Sequence, residues 1–329
     1  MRAISYSRFG PAAEVLDLVE IAKPLPGPGE VLVRLSHSGV NPSDAKARAG
    51  ARPGVTRPAF DRIVPHSDGA GEIEAVGKGI DSARIGEKVW IWNGQWQRPF
   101  GTAAEYIALP AAQAVPLPED IPAEVGATLG IPGLTAAHAV FGDGEVSGQT
   151  VLVSGGAGAV GHDAVQLARW GGATVIATCA ESAADRVAAA GADHVLAYDD
   201  PDLAARIRDA APAGGIDRAI EVEFGQNAAL LAEVMAPLGR VIAYGSGRDM
   251  SPRLPFGAFL FKSITLEMPL VYILPGTPRR AAIERLHSAL SAGELRPEIH
   301  ARFPLVNCAA AQDAVLASGR AGAVLLEIV

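Results

Sequence analysis

Apolar and polar positions change their period partway along the chain. In the first part they alternate in short runs: Val31-Leu32-Val33-Arg34-Leu35, Gly71-Glu72-Ile73-Glu74-Ala75-Val76, and the aromatic Lys88-Val89-Trp90-Ile91-Trp92. Alternation of this kind predicts half-buried strands. Pro24-Leu25-Pro26-Gly27-Pro28-Gly29 and Arg52-Pro53-Gly54 punctuate them as turns. From Pro122 the pattern becomes alternating strand and helix. Strands are predicted over Thr150–Ser154, Thr174–Thr178, His194–Ala197, Arg218–Val222, Arg240–Tyr244 and Ile264–Met268. Between them, helical spacing covers Gly161–Trp170, Ser182–Ala190, Leu203–Ala211 and Asn227–Met235. Six strands with helical crossovers predict an α/β fold built on a doubly wound parallel sheet. One more helix is expected over Pro278–Ala292, then a β-rich tail ending Ala323–Ile328 that shares the texture of the first segment. The expected domains are therefore residues 1–121, to which 271–329 return, and residues 122–270.

The first strand of the second part runs directly into a glycine turn. After Thr150-Val151-Leu152-Val153-Ser154 come Gly155-Gly156-Ala157-Gly158-Ala159-Val160-Gly161, and apolar residues continue at 160, 164, 167 and 168. Gly156, Gly158 and Gly161 complete Gly-x-Gly-x-x-Gly between a strand and a helix, the context a dinucleotide site requires. Gly156 is expected to permit the tight turn, Gly158 the approach of a pyrophosphate, and Gly161 close helix packing. The helix N-terminus would then hold the phosphates. A plain structural turn is the competing reading, since the chain has 37 glycines.

Bulk properties narrow the classes further. The 329 residues suffice for two cores, and 49% hydrophobic against 19% charged content describes a globular chain. A net charge of −8 and no Lys/Arg run argue against nucleic acid as a partner. No apolar stretch reaches membrane-spanning length, and Met1–Tyr6 reads as a strand, so a cytoplasmic protein is expected. Two distant cysteines, Cys179 and Cys308, exclude a disulfide framework and a multi-cysteine metal site. Of the four tryptophans, Trp96 alone sits in a loop and is the one candidate for a substrate platform; packing is the default for Trp90, Trp92 and Trp170.

Beyond the glycine turn, several segments are individually short but specific in their order. They are Gly39-Val40-Asn41-Pro42-Ser43-Asp44, Asp68-Gly69-Ala70-Gly71-Glu72-Ile73-Glu74-Ala75-Val76-Gly77, Gly86-Glu87-Lys88-Val89 and Gly101-Thr102-Ala103-Ala104-Glu105-Tyr106. Gly130-Ile131-Pro132-Gly133-Leu134-Thr135-Ala136, Gly191-Ala192-Asp193-His194-Val195 and Gly239-Arg240-Val241-Ile242-Ala243-Tyr244-Gly245-Ser246 follow. Over nearly its whole length the chain resembles the zinc-independent branch of the medium-chain dehydrogenases/reductases, specifically the zeta-crystallin-like NADPH:quinone oxidoreductases. The resemblance implies a β-rich GroES-like catalytic domain beside a Rossmann domain with a six-stranded sheet. Zinc-dependent relatives carry a ligand cysteine where this chain has Asn41, and a histidine where it has Ser67. His66 lies one residue out of register and is read as structural or cleft-lining. A catalytic zinc needs about three side-chain ligands and an open position; no such set can be assembled, so no metal is expected.

Without a Lewis acid, the expected reaction is hydride transfer from NADPH onto a quinone or an α,β-unsaturated carbonyl, an electrophilic small molecule that needs little further polarisation. By resemblance Asn41 lies near the nicotinamide and donates to the acceptor oxygen; capping the following turn is its alternative. Asp44 would cap a helix starting near Ala45 or orient a neighbour. Lys46 departs from a frequent tyrosine and is either a charge toward the acceptor or solvated. Thr135 resembles a nicotinamide contact. Tyr244, Gly245 and Ser246 end a strand and are expected along the nicotinamide side. The second strand ends in neutral Thr178 and Cys179 rather than an acid, which favours NADPH; Glu181 lies past its end, beside the expected helix cap Ser182. A lysine of NADPH-using relatives is replaced by Ala184, leaving Arg186, Tyr198 and Arg320 as expected phosphate partners. An enoyl-thioester reductase and a non-catalytic, crystallin-like nucleotide-binding protein remain the alternatives. Ile264–Leu270 is an apolar strand at the expected sheet edge, where exposed edges invite pairing; the resemblance implies that it joins two subunits into a homodimer.

Overall fold

Glu30–Val40 is the longest strand of the first half, and its alternation is what the seven-stranded sheet there is built on. The computed structural model describes residues 1–51 and 54–328, so Arg52 and Pro53 of the expected turn lie outside the described residues. Two compact units emerge, one of residues 1–131 with 297–329, the other of residues 132–296. In the first, β1 (Arg2–Ser5) pairs antiparallel with β2 (Asp17–Glu20). Then β3 (Glu30–Val40) pairs with β4 (Asp68–Val76), β4 with β5 (Lys88–Ile91), β6 (Tyr106–Pro110) with β3, and β7 (Ala114–Pro116) with β5, all antiparallel. Val31, Val33 and Leu35 turn one face of β3 into a core with Ile73, Val89, Ile91, Ile107 and Leu109. Gly71 lets β4 approach β3, since a Cβ there would lie 2.0 Å from the Arg34 carbonyl oxygen.

In the second unit, strands β8 (Thr150–Ser154), β9 (Thr174–Cys179), β10 (His194–Ala197), β11 (Ile216–Glu221), β12 (Met235–Ala243) and β13 (Thr265–Glu267) form one sheet. Its order is β10-β9-β8-β11-β12-β13, and every pairing is parallel. This is the expected doubly wound sheet, and the order reverses between β8 and β11. A cluster of Leu152, Ile176, Ile207, Ile216, Leu231, Val241 and Phe259 packs against it.

The chain then returns to the first unit with β14 (Ile299–Pro304) and β15 (Ala323–Glu327), which pairs antiparallel with β3. The return starts at Pro297, because the helix Gly276–Ser291 belongs to the second unit. Residues 122–131 likewise belong to the first. The edge strand is shorter than Ile264–Met268, and β12 begins at Met235, which pairs with Ile216 ahead of an irregularity.

Leu231, fully buried in the second core, is a direct probe of that packing. Leu231→Ala is expected to lower unfolding stability by about 2–5 kcal/mol, read as a shifted urea midpoint with an unchanged slope.

Candidate active site

Asn41 ends β3 and opens a helix. Its extended backbone is the N-cap of Pro42–Arg48, with Pro42 in the first turn. The helix thus starts three residues before the expected Ala45, and Asp44 is its third residue rather than its cap. The Asn41 N–H donates to Asp44 Oδ2 at 2.8 Å, and the Asp44 N–H donates to the Asn41 carbonyl at 3.0 Å. Asn41 and Asp44 are buried, whereas Lys46, on the same helix, is exposed.

The Asn41 amide is occupied by a residue that the sequence reading passed over. Asn41 Nδ2 donates at 2.8 Å to Oδ2 of Asp68, at the start of β4, and the Ile131 N–H donates to the same oxygen at 2.9 Å. Asp68 is fully buried; burial first, and then the nearby Asp44 charge, raise its pKa well above the ordinary carboxyl range. Among the described residues Asp68 Oδ1 has no hydrogen-bond partner, and it packs where a Cβ on Gly130 would collide with it at 2.1 Å.

His66 belongs to a separate buried chain whose every direction can be derived. Arg48 can only donate, so at 3.0 Å from Arg48 Nε the atom of Gln312 is its carbonyl oxygen. Gln312 Nε2 then donates to His66 Nε2 at 3.1 Å, which leaves the ring proton on Nδ1. That nitrogen donates to Ser38 Oγ at 3.0 Å, Ser38 to Thr102 Oγ1 at 2.8 Å, and Thr102 to the Asp68 carbonyl at 2.5 Å. Cys308 Sγ lies 3.8 Å from His66 Nε2, and burial raises its thiol pKa. Both ring nitrogens are committed and burial lowers the imidazole pKa to about 3. His66 is structural. Among the described residues, no three His, Cys, Asp or Glu side chains converge as a metal-ligand set.

In the second unit the tight turn falls to Gly155 rather than to the expected Gly156. Gly155, with φ +70°, makes the left-handed turn. Gly156 avoids Ala177 and Val187, 3.1 Å from where its Cβ would stand, and Gly161 avoids the Gly155 carbonyl at 2.2 Å. Gly158 is different: it is the N-cap of the helix Ala159–Trp170 with ordinary φ, and the nearest atom to a Cβ there is 3.6 Å away. The fold does not need glycine at that position. A ligand laid against the helix N-terminus would, so the cradle fits a dinucleotide pyrophosphate. Ala159 and Val160 begin that helix.

Around the turn, Thr178 is buried and holds it: its carbonyl accepts from Gly156 N at 2.9 Å. Arg186 donates to the Ala157 carbonyl at 2.9 Å, which places its guanidinium on the turn. Ser182 lies in a 3-10 turn, Glu181–Ala183, and caps nothing; the following helix starts at Ala184. Tyr198 is exposed. Tyr244 follows β12, and a Cβ on Gly245 would meet the Val222 carbonyl at 2.3 Å. The Ser246 hydroxyl is already spent, accepting from Gly225 N at 2.8 Å and donating to the Asp249 carbonyl. Thr135 is buried on the helix Leu134–Phe141. Arg320 lies in the first unit, ahead of β15, and Trp96 there lines a cavity of about 270 Å³ with Tyr6, Phe9 and Phe60.

Glu221 is a second residue the pattern concealed. It ends β11 beside Ser154, which ends β8, where the strand order reverses. Its carboxyl accepts from Ser154 Oγ at 3.0 Å, from Asn227 Nδ2 and from Glu223 N, and burial raises its pKa.

Residues 27–119 match the alcohol dehydrogenase GroES-like domain, and residues 159–288 the zinc-binding dehydrogenase domain. These two modules, in this order, define a medium-chain dehydrogenase/reductase. The chain is similar to the quinone oxidoreductase of Rattus norvegicus, 31% identical over 99% of this chain and 97% of that one. A mycobacterial protein solved in complex with NADPH shares 28% identity and a TM-score of 0.87, covering 99% of this chain and 100% of its own. An NAD-dependent alcohol dehydrogenase is equally close in fold, with 26% identity, a TM-score of 0.89 and full coverage of both chains. The chain belongs to the quinone oxidoreductase family.

The buried imidazole makes stability pH-dependent in one direction. The unfolded chain binds a proton at His66 with the ordinary pKa of about 6.5, the folded one only near 3. Folding stability from this group is complete above pH 6.5 and falls by about 1.4 kcal/mol per unit as pH drops through that window. His66→Asn, which tolerates the φ of +77°, should lack this slope in urea unfolding between pH 7 and 4. Parallel slopes for the two proteins would contradict it.

Proposed function

We propose that this protein is an NADPH-dependent reductase of quinones or α,β-unsaturated carbonyls that works without zinc. The observation that carries the reading is Asn41, an amide hydrogen-bonded to Asp68, where a zinc-dependent relative would present a thiolate. A hard-wired amide donor stabilises an oxygen that gains charge and binds no metal. Likeness to the rat quinone oxidoreductase and to the NADPH-bound mycobacterial protein supports the acceptor class and the cofactor.

Bound NADPH supplies the hydride. The N–H groups opening the helix Ala159–Trp170 would hold its pyrophosphate, and the open space at Gly158 would admit it. Thr135, Tyr244, Gly245 and Ser246 are assigned to the nicotinamide side, and Arg186, Tyr198 and Arg320 to the 2′-phosphate. Asn41 donates to the acceptor oxygen, and one proton, from a side chain or from water, completes the hydroquinone or the saturated ketone. Asp44 fixes the backbone of Asn41; Lys46, exposed, is available to an anionic acceptor. NADPH oxidation against a panel of quinones, enones and enoyl thioesters tests the assignment. Turnover confined to enoyl thioesters, or cofactor binding with no turnover at all, would overturn it.

We further infer a homodimer joined along β13, because Phe261, Met268, Leu270 and Ile273 near that edge are exposed. Two buried, unpaired thiols suit a reducing cytoplasm. Among the described residues, no helix is long and apolar enough to cross a membrane. Sedimentation at micromolar concentration should give twice the chain mass; a strict monomer would remove the inference.

Three outcomes are expected for cofactor and metal. Gly158→Val should leave the melting temperature nearly unchanged but weaken NADPH by about tenfold or more, a cost of about 1.4 kcal/mol. Arg186→Ala and Arg320→Ala should weaken NADPH and spare NADH; no selective loss would shift the assignment to Glu181 as a ribose ligand. Turnover should survive exhaustive chelation, and one tightly bound zinc per chain would refute the metal-free reading.

A further inference from the structure

The Asn41 amide could present either of its ends to a bound acceptor, and only one end can donate. Its orientation is decided one residue away. The Ile131 N–H is a donor and nothing else, so Asp68 Oδ2, 2.9 Å from it, is an acceptor. The Asn41 atom 2.8 Å from the same oxygen is therefore Nδ2. One hydrogen of that nitrogen is spent on Asp68, and the second, about 120° away in the amide plane, is the donor that remains.

We propose that Asp68 is the positioning residue of the hydride-transfer site, holding the Asn41 amide so that its free N–H faces the acceptor oxygen. The proposal rests on the assignment of Asn41 as the acceptor's donor. Asp68 is itself immobilised from three sides. Its carbonyl receives the Thr102 hydroxyl at the end of the chain from Arg48 through Gln312, His66 and Ser38. Its Oδ2 receives Ile131. Its Oδ1 is wedged where only a glycine, Gly130, leaves room. Asp68 acts through Asn41 and does not touch the acceptor.

The test is a double-mutant cycle on the full-length protein with NADPH and a quinone that the native protein reduces. Asn41→Ala and Asp68→Ala should each lower kcat by about 10²-fold, as loss or misplacement of a preorganised donor does. NADPH affinity, read by fluorescence, should stay native in both. The double variant should be no slower than either single one. Asp68→Asn should recover most of the kcat lost in Asp68→Ala, because its Oδ1 can replace the acceptor oxygen while the ionisable proton is gone. Asp68→Ser, too short to reach Asn41, replaces the alanine variant if that one does not fold.

Additive losses in the double variant would overturn the proposal, as would native kcat in Asp68→Ala beside a slow Asn41→Ala. An Asp68→Asn protein as slow as the alanine variant would also overturn it and make Asp68 a proton-transfer group. Native kcat in Asn41→Ala is a different failure: it removes the donor assignment, and the proposal with it.

Discussion

A guanidinium buried inside the first unit sets the polarity of everything polar around it. Arg48 has no acceptor atom and is buried, so its Nε–H needs an oxygen and finds that of Gln312. From that one constraint the amide orientation of Gln312, the tautomer of His66 and the hydroxyl directions of Ser38 and Thr102 all follow, ending on the backbone of Asp68. A half-satisfied network would cost more than an apolar core of the same volume. Each link is paired, and the chain joins the C-terminal helix Cys308–Ala314 to strands β3 and β4. The return of residues 297–329 thereby supports the surroundings of Asn41, although it contributes no atom to the Asn41 amide.

His66, one residue out of register with the ligand histidine of zinc-dependent relatives, is thus consumed by structure. Its Nε2 lone pair accepts from Gln312 and its Nδ1 proton goes to Ser38, so metal binding would first have to break a bond at the centre of the network. The NAD-dependent alcohol dehydrogenase shares nearly the same fold. Two modules and their topology are common property of the class, so the fold alone does not fix the chemistry.

What the sequence could disclose depended on whether a signal was local. The six-stranded parallel sheet of the second unit was legible, since each strand-helix alternation carries its own period, and the glycine turn was legible from its strand-turn-helix context. The assignment of duties within the turn was not. Gly155, outside the Gly-x-Gly-x-x-Gly pattern, is the residue with positive φ, whereas Gly156 is a packing residue. Spacing cannot separate backbone conformation from close contact. The boundary at Pro297 was missed for a similar reason: the helix Gly276–Ser291 looks the same in sequence whichever unit it joins.

The buried acids were the least legible features because their meaning is entirely tertiary. Asp68 heads a strand as an ordinary polar residue, and its partners come from residues 41, 102 and 131. Glu221 ends a strand in the same unremarked way, with partners at 154, 223 and 227. Each stands at the end of a strand and each is held by N–H or O–H donors while burial works against its charge. Such a carboxyl is costly to keep unless its geometry is used, since apolar replacement of a buried polar group is often neutral for stability. Asp68 is tied to the side-chain amide of Asn41, which opens the following helix. Glu221, tied to Ser154 and Asn227 at the reversal of the sheet, is used to close the end of β8 against β11, the gap across which a dinucleotide is bound in sheets of this topology.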